Sequence, residues 1–271
     1  MIAIRACSGF DELEACVQLQ IETWGMDASE VFPRKAFLLA QKIGGQVIGA
    51  FDASLADALP DGDPESLVGF VLSWPGSRTN HAGSSPYLHS HMLAVRETYR
   101  NRGLGTRLKL EQRREALGRG ICLMEWTFDP LEIKNAFLNI HKLGATVSRY
   151  EPDFYGVSSS RLQGGLPTDR LVAEWQLDSP RVEATLEGRH AAGHVIEERI
   201  TVPASIYQWK ATEADRERAL AVQMENRRKF QQAFSQGLAV VGFALDAEGN
   251  GVFELGPLAH AEVGLKLQGA Q

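Results

Sequence analysis

Cysteine is scarce in this 271-residue chain and never paired: Cys7, Cys16 and Cys122 are odd in number and form no C-x-x-C step. A disulfide framework and a zinc centre are therefore not expected, and a reducing cytoplasm is the expected setting. Long apolar runs are also missing. No stretch approaches the roughly 18 apolar residues that a membrane span requires. The opening MIAIRACSGFDELEAC lacks the basic segment and apolar core of a signal peptide. Nor is there an excess of positive charge. The 28 Lys and Arg residues stand against 34 Asp and Glu, a formal net charge of -6, which speaks against a nucleic-acid partner bound through phosphates. Repeats and low-complexity tracts are absent. So are the G-x-x-x-x-G-K-[ST] P-loop and, around Ser73, Ser84 and Ser90, the G-x-S-x-G nucleophile elbow.

What is present is an ordinary globular composition, 44% hydrophobic and 23% charged, enough for a sizeable core without metal or disulfides. The length suits one main domain, expected over residues 1–180, and a small α+β region over 181–271. Residues 2–5 read as a strand. A helix follows, capped by Ser8 or Asp11, with Leu13, Val17 and Ile21 at helical spacing. Residues 33–41 read as a second helix with Pro33 near its first turn. Strands are expected over 46–53, 67–74 and 87–95, separated by the polar loops LADALPDGDPES and PGSRTNHAGSSP. Then come a turn and a strong helix, a strand over 121–128, a helix over 131–143 stopped by Gly144, and a strand over 171–177. Beyond residue 180, HVIEERITVP reads as a strand and 212–234 as a long charged helix. LAVVGFALD and GVFELG read as two strands joined by AEGN. The order predicts an α/β fold with a mixed, mostly antiparallel sheet flanked by helices, not a doubly wound parallel sheet.

The informative segment is the turn Arg100-Asn101-Arg102-Gly103-Leu104-Gly105 between a strand and a helix. A helix start leaves backbone N–H groups unpaired and carries partial positive charge. Glycine at 103 and 105 lets the backbone approach an anion closely. Arg100, Arg102, Arg107 and Lys109 add charge, and together these features suit a pyrophosphate. The plainer reading, loop glycines before a charged helix, is countered by context. A strand precedes the turn, and the strand ICLMEWTF and helix IKNAFLNIHKLGA follow its helix. The third glycine and the ribose-binding acid of a dinucleotide fingerprint are missing.

The segment MLAVRETYRNRGLGTRLKLEQ resembles the acetyl-CoA-binding motif of the GNAT acyltransferases, in which R/Q-x-x-G-x-G/A follows a strand. NAFLNIHKLGA is similar to the superfamily helix that ends in L-G-F. LHSHMLAV, LKLEQRREAL and EWTFDPL extend the resemblance to a bacterial group of predicted GNAT N-acetyltransferases, over residues 1–180. The resemblance implies acetyl-CoA, or another acyl-CoA, as cofactor. The backbone of Asn101, Arg102, Gly103, Leu104, Gly105 and Thr106, beside Arg100, would hold its pyrophosphate. Leu93, Ala94 and Val95 would bond the pantetheine arm, admitted by a splay between their strand and 121–128, and Asn135 and Asn139 would touch coenzyme A. The implied activity is N-acyl transfer to a small amine or similar nucleophile by direct attack.

Such a transfer needs a base, donors for the oxyanion and an acid for the leaving thiolate. By strict alternation His89, His91, Leu93 and Val95 share one strand face, and Ser90 and Met92 the other. His89 falls where several family members place a glutamate base, and a histidine can do that work; a structural role weighs as much. His91 reads as structural. Glu125 is the second catalytic candidate, either a buried carboxylate of raised pKa or a satisfied structural acid. The superfamily's acid, a tyrosine four residues before the helix-ending glycine, is replaced here by Ile140. That leaves the acid open among Tyr150, Tyr155, Glu125 and Asp129. Trp74 and Trp126 read as core or as pocket lining, and Cys122 as a small buried hydrophobe. His89 and His91 lack a third ligand, so no metal is expected. The helix over 212–234 reads as packing with a solvated charged face, or as a homodimer contact. Ile140 keeps a second reading open, a non-catalytic acyl-CoA sensor or scaffold. A protein or peptide acceptor is a third.

Overall fold

The structure, a computed structural model, describes residues 2–56, 66–80, 83–189 and 195–258. Most of the expected loop LADALPDGDPES lies outside the described residues. Two compact units divide the chain: Met1–Glu125 with Ser159–Arg161, and Trp126–Ser158 with Leu162–Gln271.

The first unit runs β1 (Ile2–Ala6), α1 (Gly9–Trp24), α2 (Arg34–Lys42), β2 (Gln46–Asp52), α3 (Ala53–Ala56), β3 (Leu67–Asn80), β4 (Gly83–Val95), α4 (Leu104–Gly118) and the start of β5 (Leu123–Phe128). Its strands lie in the order β1-β2-β3-β4-β5. They are antiparallel except for the parallel pair β4–β5. Phe37, Phe70, Leu72, Met92 and Ala94 join α1 and α2 in one core; Ile48, Val71, Val95, Leu104 and Leu108 form a second core with α4. Ser8 is the residue that caps α1, but through its backbone: its N–H donates to Glu12 Oε2 at 2.7 Å. Cys7 and Cys16 are buried and unbridged, with sulfurs 3.9 Å apart. Cys122 is exposed, against the expectation of burial, because it precedes the first residue of β5.

Two features of β3 and β4 depart from the sequence reading. PGSRTNHAGSSP is not a loop throughout: Pro75 pairs with Leu88 and Ser77 with Pro86. Proline lacks the ladder donor and is confined to free edges. Pro75 lies past the β2 ladder, which reaches Ser73, and Pro86 before the β5 ladder, which starts at Leu88. The second feature is a bulge. Leu72 pairs with Met92 and Ser73 with Ser90, so His91 is skipped. A bulge sets consecutive residues on one side. Ser90 bonds side chains of α4, His91 packs tilted against Phe32 with ring centres 4.5 Å apart, and Met92 joins the core of α1 and α2. Leu93 and Val95 then return to the α4 side. The expected single face of His89, His91, Leu93 and Val95 is therefore split at His91.

The second unit contains the end of β5, α5 (Ile133–Ala136) running into a π-helical segment Phe137–Lys142, β6 (Thr146–Glu151), β7 (Arg170–Gln176), α6 (Pro180–Leu186), β8 (Glu198–Val202), α7 (Ile206–Ala211), α8 (Arg216–Ser235), β9 (Leu238–Leu245) and β10 (Gly251–Pro257). Its order is β5-β7-β6-β9-β10-β8. The C-terminal strands extend the sheet, with β9 pairing antiparallel to β6 at Val147↔Val240. Neither β6 nor α7 is expected from the sequence. TVSRYE is polar at four of its six positions and buries only Thr146, Val147 and Tyr150 among its residues.

Asp169 is fully buried in this unit. It accepts from Arg227 at 2.6 and 2.9 Å, from the Tyr150 hydroxyl at 2.5 Å and from the Asp153 N–H at 3.0 Å. Removing one partner of such a pair strands the other, so Asp169→Ala is expected to cost about 3 kcal/mol in chemical denaturation. A loss below about 1 kcal/mol, the level of a surface ion pair, would show the cluster to be dispensable.

Candidate active site

The turn after β4 is built by two left-handed residues, Asn101 at φ 61° and Gly103 at φ 75°. The first bond of the α4 ladder runs from the Arg107 N–H to Gly103 O at 3.1 Å. The N–H groups of Leu104, Gly105 and Thr106 thus precede the ladder and are open to an anion. A Cβ at Gly103 would meet nothing within 4 Å, so there is room on that side for a phosphate. The basic side chains do less than the sequence suggests. Arg100 Nε donates to Val95 O at 3.0 Å, fastening the turn to the strand end, and Arg102 lies over the Tyr99 ring. Arg107 reaches Ile2 O at 3.0 Å. Lys109 is buried. The cradle is chiefly backbone.

The parallel ladder of β4 with β5 consists, among the described residues, of Leu88↔Met124 and His89↔Glu125. From Ser90 to Val95 that edge of β4 has no ladder to β5. Leu93, Ala94 and Val95 lie on this stretch, directly before the turn. Asn135 is exposed and Asn139 buried, both in the second unit.

Paired residues of neighbouring strands point to the same side, and the register brings three polar side chains together. His89 stands opposite Trp74 on β3 and Glu125 on β5. Its Nδ1 lies 3.8 Å from Glu125 Oε1, while Arg78 Nη2 donates to Glu125 Oε2 at 2.5 Å. Both catalytic candidates therefore meet at one place. Arg78, which the sequence reading missed inside its supposed loop, is the third member. His91 is 6.2 Å from His89 between ring centres; burial, and then the charge of His89, draw its pKa down to about 4. It is neutral at neutral pH.

On the other side of β4, Lys109 Nζ donates to Ser90 Oγ at 2.7 Å, and Ser90 donates to Gln112 Oε1 at 3.1 Å. Gln46 Nε2 bonds Gln112 O at 3.0 Å and Glu115, and Ser73 bonds Gln46. Burial draws the Lys109 amine down to about 7. In the second unit Ile140 is buried, Tyr150 is committed to Asp169, and the exposed Tyr155 bonds Thr127 at 2.9 Å. Trp126 packs edge-on against Trp175, and Trp74 borders the core of α1 and α2.

Here a strand leaves its parallel neighbour, turns through a left-handed glycine and enters a helix. Residues 13–138 match the model of the acetyltransferase (GNAT) family. The structure of Arabidopsis thaliana NAA60 in complex with acetyl-CoA is similar at a TM-score of 0.50 and 19% identity, covering 65% of this chain and 99% of that one. The ribosomal-protein-S18-alanine N-acetyltransferase of Escherichia coli is similar at 0.46 and 13% identity, over 73% and 100%. At these identities the first likeness shows the fold. No curated protein sequence matches the chain. Among the described residues no helix is long and apolar enough to cross a membrane.

The buried amine gives a pH signature. Unfolded lysine titrates near 10.4, and Lys109 in the fold near 7. Between these values the unfolded chain holds the extra proton, so stability rises with pH there; below 7 the full penalty stands. The slope is at most about 1.4 kcal/mol per pH unit. Lys109→Met removes it. Wild type should therefore gain on the variant in urea denaturation as pH rises from about 7 to about 9; parallel stability curves would contradict the burial.

Proposed function

We propose that this protein is an acyl-CoA-dependent N-acyltransferase, using acetyl-CoA and acting on a small amine. The observation that carries the reading is the left-handed Gly103 turn at the end of an open strand edge, within a GNAT domain. The cofactor suits the residues. The N–H groups of Leu104, Gly105 and Thr106 meet the pyrophosphate, and Leu93, Ala94 and Val95 offer backbone groups to the pantetheine arm. Coenzyme A supplies the activated acyl thioester. We take residues 1–180 as the acyl-CoA-binding domain, 181–271 as an α+β extension, and the cytoplasm as the setting.

His89 is the base. Its imidazole takes the proton of the attacking amine, and Glu125, 3.8 Å away, faces the imidazolium that results. Arg78 fixes Glu125. Backbone N–H groups of β4 near the bulge serve the oxyanion. Ile140 supports the alternative of a sensor that binds acyl-CoA without turnover, since it is apolar and buried where a tyrosine acid stands in relatives.

Calorimetry with acetyl-CoA distinguishes these readings from a plain loop. Wild type should bind, and the double variant Gly103→Glu, Gly105→Glu should fold yet not bind, since it places bulk and negative charge in the cradle. Failure of wild type to bind would remove the acyltransferase reading. In an amine screen, His89→Gln should lower kcat by about 10²–10⁴ without weakening acetyl-CoA binding. Unchanged kcat would exclude His89 as base.

A further inference from the structure

We propose that the acceptor amine carries an aromatic ring, and that Phe32, Trp74 and His91 receive that ring beside His89. The inference rests on the reading above, in which His89 takes the proton of the attacking nitrogen. Three contacts set the side chains in one row. Trp74 on β3 stands opposite His89 on β4, so both leave the same side of the sheet. The ring centres of His89 and His91 lie 6.2 Å apart. His91 in turn packs tilted against Phe32, with ring centres 4.5 Å apart. All four residues are half-buried, so each keeps part of its surface within reach of a ligand. Trp74 and Phe32 rest on the core of α1 and α2.

The row is set before a ligand arrives. Gln20, fully buried on α1, grips the Phe32 backbone twice. Its Nε2 donates to Phe32 O at 2.8 Å, and the Phe32 N–H donates to its Oε1 at 2.9 Å. The connection from α1 to α2 is tied again at Asp27, whose N–H donates to Ser159 Oγ at 2.9 Å, and at Glu30, which accepts from the Ser159 N–H at 2.8 Å. A ring already held in place loses little freedom on binding. Charge nearby is matched. Glu125, beside His89, is held by Arg78, and Glu22 on α1 faces Arg96 at 3.5 Å. Burial keeps His91 neutral at neutral pH. A polyamine or an amino acid would bring a second charge here and lose its water without a counter-ion in exchange. A neutral ring meets ring edges and faces, an arrangement worth more than the area it buries.

The transfer step is the same whatever the acceptor carries. Its nitrogen forms a bond to the acyl carbon and gives one proton to His89. The carbon–sulfur bond breaks with its electron pair on sulfur. The thiolate takes a proton from solvent, to which His89 returns its own. What the ring adds is position. A ring seated on Phe32 and His91 leaves its side chain pointing along the row towards His89, one ring further on. A nitrogen a short alkyl arm away is then held at the base, and an acceptor so placed gains rate as well as affinity.

Thiol release from acetyl-CoA reads the transfer, with 2-phenylethylamine, butylamine and spermidine as acceptors. On wild type, kcat/KM for 2-phenylethylamine should exceed that for butylamine by roughly 10- to 100-fold, the discrimination that a filled apolar pocket gives. Phe32→Ala should bring the ratio close to one, mainly by raising KM for the aromatic amine, and Phe32→Tyr should retain it. An equal fall for both amines in Phe32→Ala would mark the ring as structural and overturn the inference. Should that variant not fold, the wild-type ratio decides. A ratio near one, a preference for spermidine, or acetyl-CoA binding without thiol release on any of the three would overturn the aromatic acceptor and leave the cofactor site intact. Absence of acetyl-CoA binding by wild type would overturn the acyltransferase reading itself.

Discussion

The skipped residue in β4 is the constraint on which the rest of the site depends. An unbroken strand would keep strict alternation, and His89, Leu93 and Val95 would then crowd one face. With His91 left out of the ladder, the strand changes phase midway. Apolar residues ahead of the turn seat themselves under α4, while the two histidines keep the other side. One backbone irregularity therefore gives a single strand a hydrophobic anchor at one end and a polar, two-faced centre at the other.

The turn at 100–105 was legible because its physics is local. A glycine in the left-handed region and a run of helix-start N–H groups follow from a few adjacent residues. The main strands and helices were legible for the same reason, through apolar spacing. The bulge was not, since nothing in LHSHMLAV marks which residue the neighbouring strand will skip. Arg78 was hidden by prolines that usually end strands; here each falls where the ladder with the next strand is absent. Lys109 was misread for a different reason. Sequence counts its charge towards an anion, whereas the helix period turns it inward, onto Ser90.

Buried charge is handled in two ways in this chain. In the second unit Asp169 has a full set of donors, and Lys210, nearly as buried, is held by Asp129 at 2.8 Å and Glu132 at 3.0 Å. Those carboxylates push the Lys210 amine above its ordinary value despite burial. Lys109 in the first unit donates to the Ser90 hydroxyl, and burial draws its amine down to about 7. Two interior lysines of similar exposure thus stand on opposite sides of the normal amine pKa.

The pairing of β9 with β6 bears on how the chain could be shortened. Sequence composition invites a cut near residue 180, where the pattern changes. That cut would strip β6 of its outer neighbour and leave a row of N–H and C=O groups facing water, the kind of open strand edge that recruits other chains. It would also remove Arg227 from the fully buried Asp169. The last strands therefore act as a cover against self-association, and a fragment ending at the apparent boundary would tend to aggregate.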